Sequence, residues 1–465
     1  MKRRLGLLVG GAAIAFTLAG CSMAPAYVRP PSPVPPALPP TDAAAGAPLV
    51  SEVQWQGYFT DARLRAVIEL ALANNRDLRM AMLNIERAQA FYRIQRAELF
   101  PAVSVGANVS TQRIPEEVAR DGEAYTSTLY TVALGVAGWE LDLFGRIRSL
   151  KASSLEQYLA TEQAAVATRL SLVAAVAQAY LTRAADAENL QLAQATLETL
   201  QSSLDLIQKS RDLGVASDLE LNQIRSQVEA ARADVARFTG LMAVDLNTLQ
   251  VLVGAPVSPD LLPETLGSVT PPPPISAGLS SDVLLRRPDI LSAEHQLRSA
   301  NADIGAARAA LFPRISLTMG VGISSSELSS LFGGGTGMWS FAPQIMQPIF
   351  NSGALKSRVK VTELEREMAV AGYEKGIQVA FAEVSNALTL RKTLVDQRAA
   401  QEALVKSLEA TYRLYDARFK AGIDGYLGVL VAQQAFISAQ KALVGVRLSE
   451  QANLVTLYKV LGGGV

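Results

Sequence analysis

Two periods of apolar residues alternate along this chain, and they predict two kinds of element. In the first, apolar side chains recur every three or four residues. Leu190, Ala193, Leu197, Leu200, Leu204 and Ile207 form one such stripe, and Leu221, Ile224, Val228, Ala231, Val235, Phe238 and Met242 form another. That spacing predicts antiparallel helices packed along coiled-coil seams. In the second, the period is two. Val103, Val105, Ala107 and Val109 alternate with Ser104, Gly106, Asn108 and Ser110, while Ile315, Leu317, Met319, Val321 and Ile323 alternate with Ser316, Thr318, Gly320, Gly322 and Ser324. A second strand follows each of these, roughly Tyr125 to Ala137 and Met338 to Ile349. Such strands, one face apolar and the other small or polar, fit a membrane β-barrel with a wet interior. Phe100, Trp139, Phe312, Trp339 and Phe341 lie near the strand ends, where an aromatic girdle belongs. A soluble two-hairpin sheet carries the same alternation.

The whole pattern is written twice. Asp77-Leu78, Ala81 and Leu99-Phe100-Pro101 recur as Asp289-Ile290, Ala293 and Leu311-Phe312-Pro313, at an offset of 212. Gly145, Gly214, Leu219, Thr248-Leu249 and Gly254 recur as Gly353, Gly422, Leu427, Thr456-Leu457 and Gly462, at an offset of 208. A duplicated unit with one loop of variable length explains both offsets. Within each copy, Arg146 to Leu213 has neither Pro nor Gly over 68 residues, and Ala354 to Ala421, also 68 long, is free of Pro and interrupted only by Gly372 and Gly376. A continuous helix of that length reaches about 100 Å. Gly214 and Gly422 are placed to end these helices in the left-handed conformation, and Ser217 and Asp218 to cap the next. The fold class is a mixed α/β membrane protein, a duplicated unit of two barrel strands plus long antiparallel helices.

Composition narrows the function. The 43 Lys and Arg balance 43 Asp and Glu, which gives no electrostatic footprint for nucleic acid. One cysteine, Cys21, excludes a disulfide framework and a Cys-based zinc site, and one histidine, His295, excludes His-pair hydrolases. An enzyme would have to work with carboxylates, Ser, Lys or Tyr alone, and no paired acids occupy a pocket-forming context. His295 reads as a helix-surface or interface residue, and Arg286, Arg287 and Asp289 as helix-start residues that also pair between the repeats. The Gly333 to Gly337 cluster reads as a turn between the last two strands, since no Lys-Ser/Thr follows to make a phosphate loop.

The amino terminus predicts export. Lys2, Arg3 and Arg4 precede an apolar run from Leu5 to Ala19, too short to span a bilayer, which ends in Leu18-Ala19-Gly20-Cys21. Removing residues 1–20 leaves 40 basic against 43 acidic residues, a net charge of −3. Nine prolines between Pro25 and Pro48 predict an extended spacer with few core residues. Four strands cannot close a barrel, and open edges in lipid leave backbone groups unpaired. If the strands are transmembrane, several chains must share one barrel, and a conducting pore favours three chains over two, because eight strands leave an interior filled by side chains.

The lipobox-like Leu18-Ala19-Gly20-Cys21, the paired Leu-Phe-Pro segments, Leu285-Arg286-Arg287-Pro288-Asp289 and the tips Val215-Ala216-Ser217 and Gly422-Ile423-Asp424 together resemble the outer-membrane efflux channels of the TolC superfamily, in its OprM-like, NodT-type lipoprotein branch. The likeness covers essentially the whole chain after the signal. It implies a signal peptide at 1–20, a lipid-linked Pro-rich extension at 21–60, one efflux repeat at 61–254, a Pro-rich linker at 255–280 and a second repeat at 281–465. It implies a homotrimer with a 12-strand β-barrel in the outer membrane and a periplasmic 12-helix α-barrel. Cys21 would carry acyl chains, the only covalent group expected, with no cofactor and no metal. The partners implied are a periplasmic adaptor protein, an inner-membrane transporter of the proton-driven resistance-nodulation-division class and outer-membrane lipid.

Carried over by position, the adaptor-docking tips fall on Gly214, Val215, Gly422 and Ile423, where packing of the tips in a closed state also fits. The periplasmic gate falls on Tyr412, Arg413 and Asp416, with Asp212 as a partner, although a solvated outer face suits each of these as well. The implied function is a passive exit duct for drugs and other small molecules, without catalysis. A type I protein-secretion channel and a non-conducting periplasm-spanning structural lipoprotein are the alternatives.

Overall fold

The computed structural model describes residues 22–39, 53–273 and 280–464. The predicted signal peptide at 1–20 and Cys21 lie outside the described residues. In chain order the helices and strands are α1 (Trp55–Tyr58), α2 (Ala62–Asn74), α3 (Arg76–Ala97), β1 (Val103–Ile114), β2 (Tyr125–Glu140), α4 (Arg146–Asp212), α5 (Asp218–Val253), α6 (Pro288–Ala309), β3 (Arg314–Ser325), β4 (Gly337–Met346), α7 (Ala354–Lys420) and α8 (Tyr426–Val460). Helices α4 and α7 are each 67 residues long, which matches the tracts without proline. Two compact units cut across the sequence copies. One draws on the chain up to Pro31, Asn84–Glu162 and Ser292–Tyr373, and the other on Ser32–Leu83, Gln163–Leu291 and Glu374 onward.

The first unit contains a single antiparallel sheet in the order β1-β2-β3-β4, so the two copies meet at the β2–β3 pair. Two strand limits differ from the pattern reading. Strand β2 runs on to Glu140 across a bulge between Val136 and Trp139, where Gly138 takes a φ of +63° and its N–H donates to the Thr318 hydroxyl at 3.0 Å. Strand β4 stops at Met346 rather than Ile349, because Pro348 has no N–H for a ladder and the Gln347 side chain donates instead to the Leu311 carbonyl.

The second unit is helical, and its core is the predicted seam. Leu200 and Ile207 of α4 pack with Leu221, Ile224, Val228 and Ala231 of α5 and with Tyr426, Val429 and Leu430 of α8. Gly214 and Gly422 end α4 and α7 at φ +75° and +74°. Helix α5 then starts from a complete capping box, in which the Ser217 hydroxyl accepts from the Glu220 N–H and the Glu220 carboxylate accepts from the Ser217 N–H.

The extension at 21–60 and the linker at 255–280 both carry buried residues. In the 21–60 extension, residues 22–39 form no helix or strand, but Leu38 is buried, and Tyr58 and Phe59 are fully enclosed. Tyr58 stacks on Tyr458 with ring centroids 4.5 Å apart, and its hydroxyl donates to the Leu454 carbonyl at 2.9 Å. The aromatic cluster at positions 55–59 follows the proline stretch, whose described residues 25–39 take no regular secondary structure. In the 255–280 linker, described as far as residue 273, Val257, Leu266 and Val269 are buried. The Arg183 guanidinium donates to the Pro263 carbonyl at 3.0 Å, and the Asp61 carboxylate accepts from the Thr270 N–H at 3.3 Å. Arg287 does not pair between repeats. It binds Asp289, Glu383 and the Val460 carbonyl, all in the second copy.

Candidate functional site

Register turns the period-two pattern into two chemically distinct faces. Val105, Leu134, Val321 and Trp339 pair in one row across the four strands, and Val103, Val136, Met319 and Phe341 in the next but one. The row between them reads Ser104, Gly135, Gly320 and Ser340, and a row further along the same face reads Asn108, Thr131 and Ser324. A one-residue slip would mix the two sets, so the register is strongly specified. Small residues allow close backbone approach on the polar face: a Cβ on Gly322 would collide with the Val132 carbonyl oxygen. Much of the apolar face is uncovered, with Trp339 79% and Val105 72% exposed. Among the described residues, the outer edges of β1 and β4 pair with no further strand.

The helical hairpin tips are the second candidate surface. At the α4–α5 turn, Leu213 and Val215 are 80% and 81% exposed, and Ile423 at the α7–α8 turn is 63% exposed. Each apex is braced by an ion pair across the turn, Arg211 to Asp218 at 2.9 Å and Arg418 to Asp424 at 2.5 Å. The Arg418 guanidinium holds the Asp424 carboxyl below its usual range. These braces leave Gly214, Val215, Gly422 and Ile423 with apolar or bare backbone outward. An exposed apolar apex on a rigid base suits protein contact.

Of the four gate candidates, the structure brings two together. Tyr412 packs partly against the seam core and stacks on Phe436 at 6.1 Å. Burial, helped by the charge of Asp416, raises its phenol above the usual range. Asp416 accepts from Lys420 at 2.7 Å. Arg413 instead pairs with Glu409 at 2.5 Å and is 75% exposed in its side chain. Asp212 accepts from Gln208 at 3.1 Å and from Arg211 at 3.4 Å. His295 of α6 is bonded to Glu156 of α4 at 2.6 Å, with both side chains partly buried.

Sequence reasoning missed three charged constellations, because each joins residues distant in the chain or hidden in ordinary composition. Glu294, with a side chain 4% exposed, is held by Arg29, Arg298 and the Tyr27 hydroxyl. Glu140, at the end of β2, receives Arg146 and Arg314. Asp186 of α4 and Asp245 of α5 form an acidic pair, where burial and the second carboxyl push Asp245 up to about 6 against the pull of Arg183. The only available signal was the acidic residue standing within an otherwise apolar helix stripe. Among the described residues, no three His, Cys, Asp or Glu groups are arranged to hold a metal ion.

The profile of the family described as "Outer membrane efflux protein" matches residues 67–255 and 279–463. The chain is 46% identical over 463 residues to a toluene efflux pump outer membrane protein, TtgC, of Pseudomonas putida, covering 98% of this chain and 95% of that one. It is equally similar, over the same shares, to the antibiotic efflux pump outer membrane protein ArpC of Pseudomonas putida. The open-state MtrE outer membrane channel of Neisseria gonorrhoeae superposes with a TM-score of 0.87 at 37% identity, covering 96% of this chain and 98% of that one.

Proposed function

This chain belongs to the outer membrane efflux protein family, and from that membership and the two-faced sheet we propose that three copies share one 12-strand barrel whose polar face lines the exit path. The protein is the outer-membrane channel of an efflux pump. The observation that carries the trimer is the sheet itself: four strands in register but for one bulge in β2, apolar on one face, with two edges that pair with no further strand among the described residues. In lipid each unpaired backbone group costs several kcal/mol, so the edge of β4 must meet the edge of β1 in the next copy. Helices α4, α5, α7 and α8 of the three copies would then form a periplasmic α-barrel.

Cys21 carries the lipid anchor in this reading, and the tips at Gly214, Val215, Gly422 and Ile423 dock a periplasmic adaptor. An inner-membrane transporter of the proton-driven class supplies the energy. The cargo is small and partly apolar. Two relatives with the same identity are named for toluene and for antibiotics, so selection belongs largely to the transporter. The family is one of channels, and no catalytic step is assigned to any residue. Names of efflux pump components displace the protein-secretion and tether readings.

The native mass of the detergent-extracted protein, corrected for bound detergent, tests the assembly. Three chains and a stable conductance in planar bilayers are expected. A monodisperse, non-conducting monomer would overturn it.

A further inference from the structure

At one end of the sheet the polar face changes character. Glu140 pairs in register with Ser316, and Arg314 with Met346, so all four continue the row of Thr318, Gly320 and Ser324. Elsewhere that face carries residues such as Ser104, Gly106, Thr131 and Ser340, which bear no charge. Here a cavity of about 250 Å³ opens among the strand ends and the first turn of α7. Its charged lining is Glu140, held by Arg146 through bonds of 2.8 and 2.9 Å and by Arg314 at 3.1 Å, together with Asp142, whose charge is met by Arg148 at 3.2 Å. Glu140 is 15% and Arg146 23% exposed in their side chains, whereas Arg314 is 58% exposed. Two cations therefore meet one carboxylate, and the more open cation presents its charge to the cavity. The apolar wall includes Phe312, whose ring is stacked on Phe144 at 4.8 Å, with Met346 and Leu355.

We propose that this cavity is a solute site on the exit path for small amphiphilic anions, molecules that join one aromatic ring or short alkyl chain to a carboxylate or phenolate. The ring lies against Phe312 and Met346, and the anionic group pairs with Arg314, whose guanidinium meets Glu140 through Nε at 3.1 Å and carries further N–H donors for a ligand. The volume lies below the range of drug-sized pockets, which limits the ligand to about one ring. A duct must release what it holds, so the affinity should be weak, with a Kd on the order of 1 mM. The proposal rests on the reading that the polar face lines the duct.

Benzoate and toluene are the probes, measured by saturation-transfer NMR and by block of planar-bilayer current with the full-length, detergent-extracted protein. Benzoate should bind and reduce the current. Arg314→Gln should weaken benzoate about tenfold through loss of the charged pair while leaving toluene within about twofold. Leu355→Trp, which fills the cavity from the helix side and leaves every strand residue unchanged, should remove both. A conducting trimer that binds neither probe would overturn the site alone, as would Arg314→Gln binding benzoate as well as the parent does. A non-conducting monomer that still binds benzoate through Arg314 would overturn the duct and its exit-path role, and leave the cavity an ordinary anion pocket.

Discussion

Arg29 and Glu294 stand 265 residues apart in the chain and are joined by two hydrogen bonds, Nε to Oε1 at 3.1 Å and Nη2 to Oε2 at 2.7 Å. The same carboxylate takes Arg298 at 2.6 Å, and the Asn301 amide donates to the Pro25 carbonyl at 2.8 Å. The stretch after Cys21 is thus strapped onto the first unit instead of hanging free. Burial alone would raise the Glu294 pKa, but its arginines outweigh burial and hold it below the usual glutamate range. The stabilisation is present above the ordinary glutamate pKa and is lost as pH falls through the depressed one. Arg29→Ala should release residues 22–31 at a cost of about 1 kcal/mol, since Arg298 remains and Arg29 is half exposed. Hydrogen exchange over that segment should rise for the variant at pH 7, and for the parent only on acidification below the usual glutamate range.

Adjacent positions on β1 give a sharp check of the two faces. Val105→Lys places a charge on the apolar face and should cost about 2–4 kcal/mol near the bilayer midplane, with loss of trimer. Ser104→Lys, one residue away, should leave trimer yield intact and alter single-channel conductance. Native mass and conductance of the two variants decide between a membrane barrel, where they differ, and a soluble sheet, where they would not.

The tips should fail in two separable ways. Val215→Asp and Ile423→Asp add charge to exposed apices without touching the capping box, so folding and conductance should stay unchanged while whole-cell efflux and adaptor crosslinking fall. Gly214→Val instead forces a β-branched residue to a φ of +75° and should destabilise the turn by about 1–2 kcal/mol. A lower proteolysis threshold at the α4–α5 turn would report that strain, whatever the adaptor does.

The Asp186–Asp245 pair predicts a stability that depends on pH in the opposite sense to the strap. With its folded pKa raised to about 6, Asp245 binds a proton more tightly in the folded than in the unfolded state. Its contribution therefore falls as pH climbs from about 4 to 6 and stays reduced above that. Asp245→Asn removes the ionisation cost, so the variant should melt above the parent at pH 7.5 and close to it at pH 4.5. Equal melting temperatures at both values would refute the raised Asp245 pKa.

What the sequence determined by itself was everything encoded in short-range periodicity. The 3.6-residue stripes at Leu197–Ile207 and Leu221–Phe238 marked the helices and their seam, because a helix face repeats in sequence at a fixed interval. The alternation from Val103 and from Ile315 marked strand faces for the same reason. Gly214 and Gly422 marked the turns, because a left-handed residue there favours glycine. The duplication was legible because both copies keep these signals in step.

Tertiary structure alone decided which distant groups meet. No local spacing links Arg29 to Glu294 or Tyr58 to Tyr458, and an extended segment rich in proline looks the same in sequence whether it is free or strapped down. The gate candidates divided for a similar reason. Tyr412 and Asp416 sit one helical turn apart and share an environment, but the partners of Asp212 and Arg413 were set by the nearest opposite charge on their own helices. Long-range pairing of charges depends on three-dimensional proximity and on burial, which strengthens electrostatics by excluding water, and neither quantity has a period that a sequence can display.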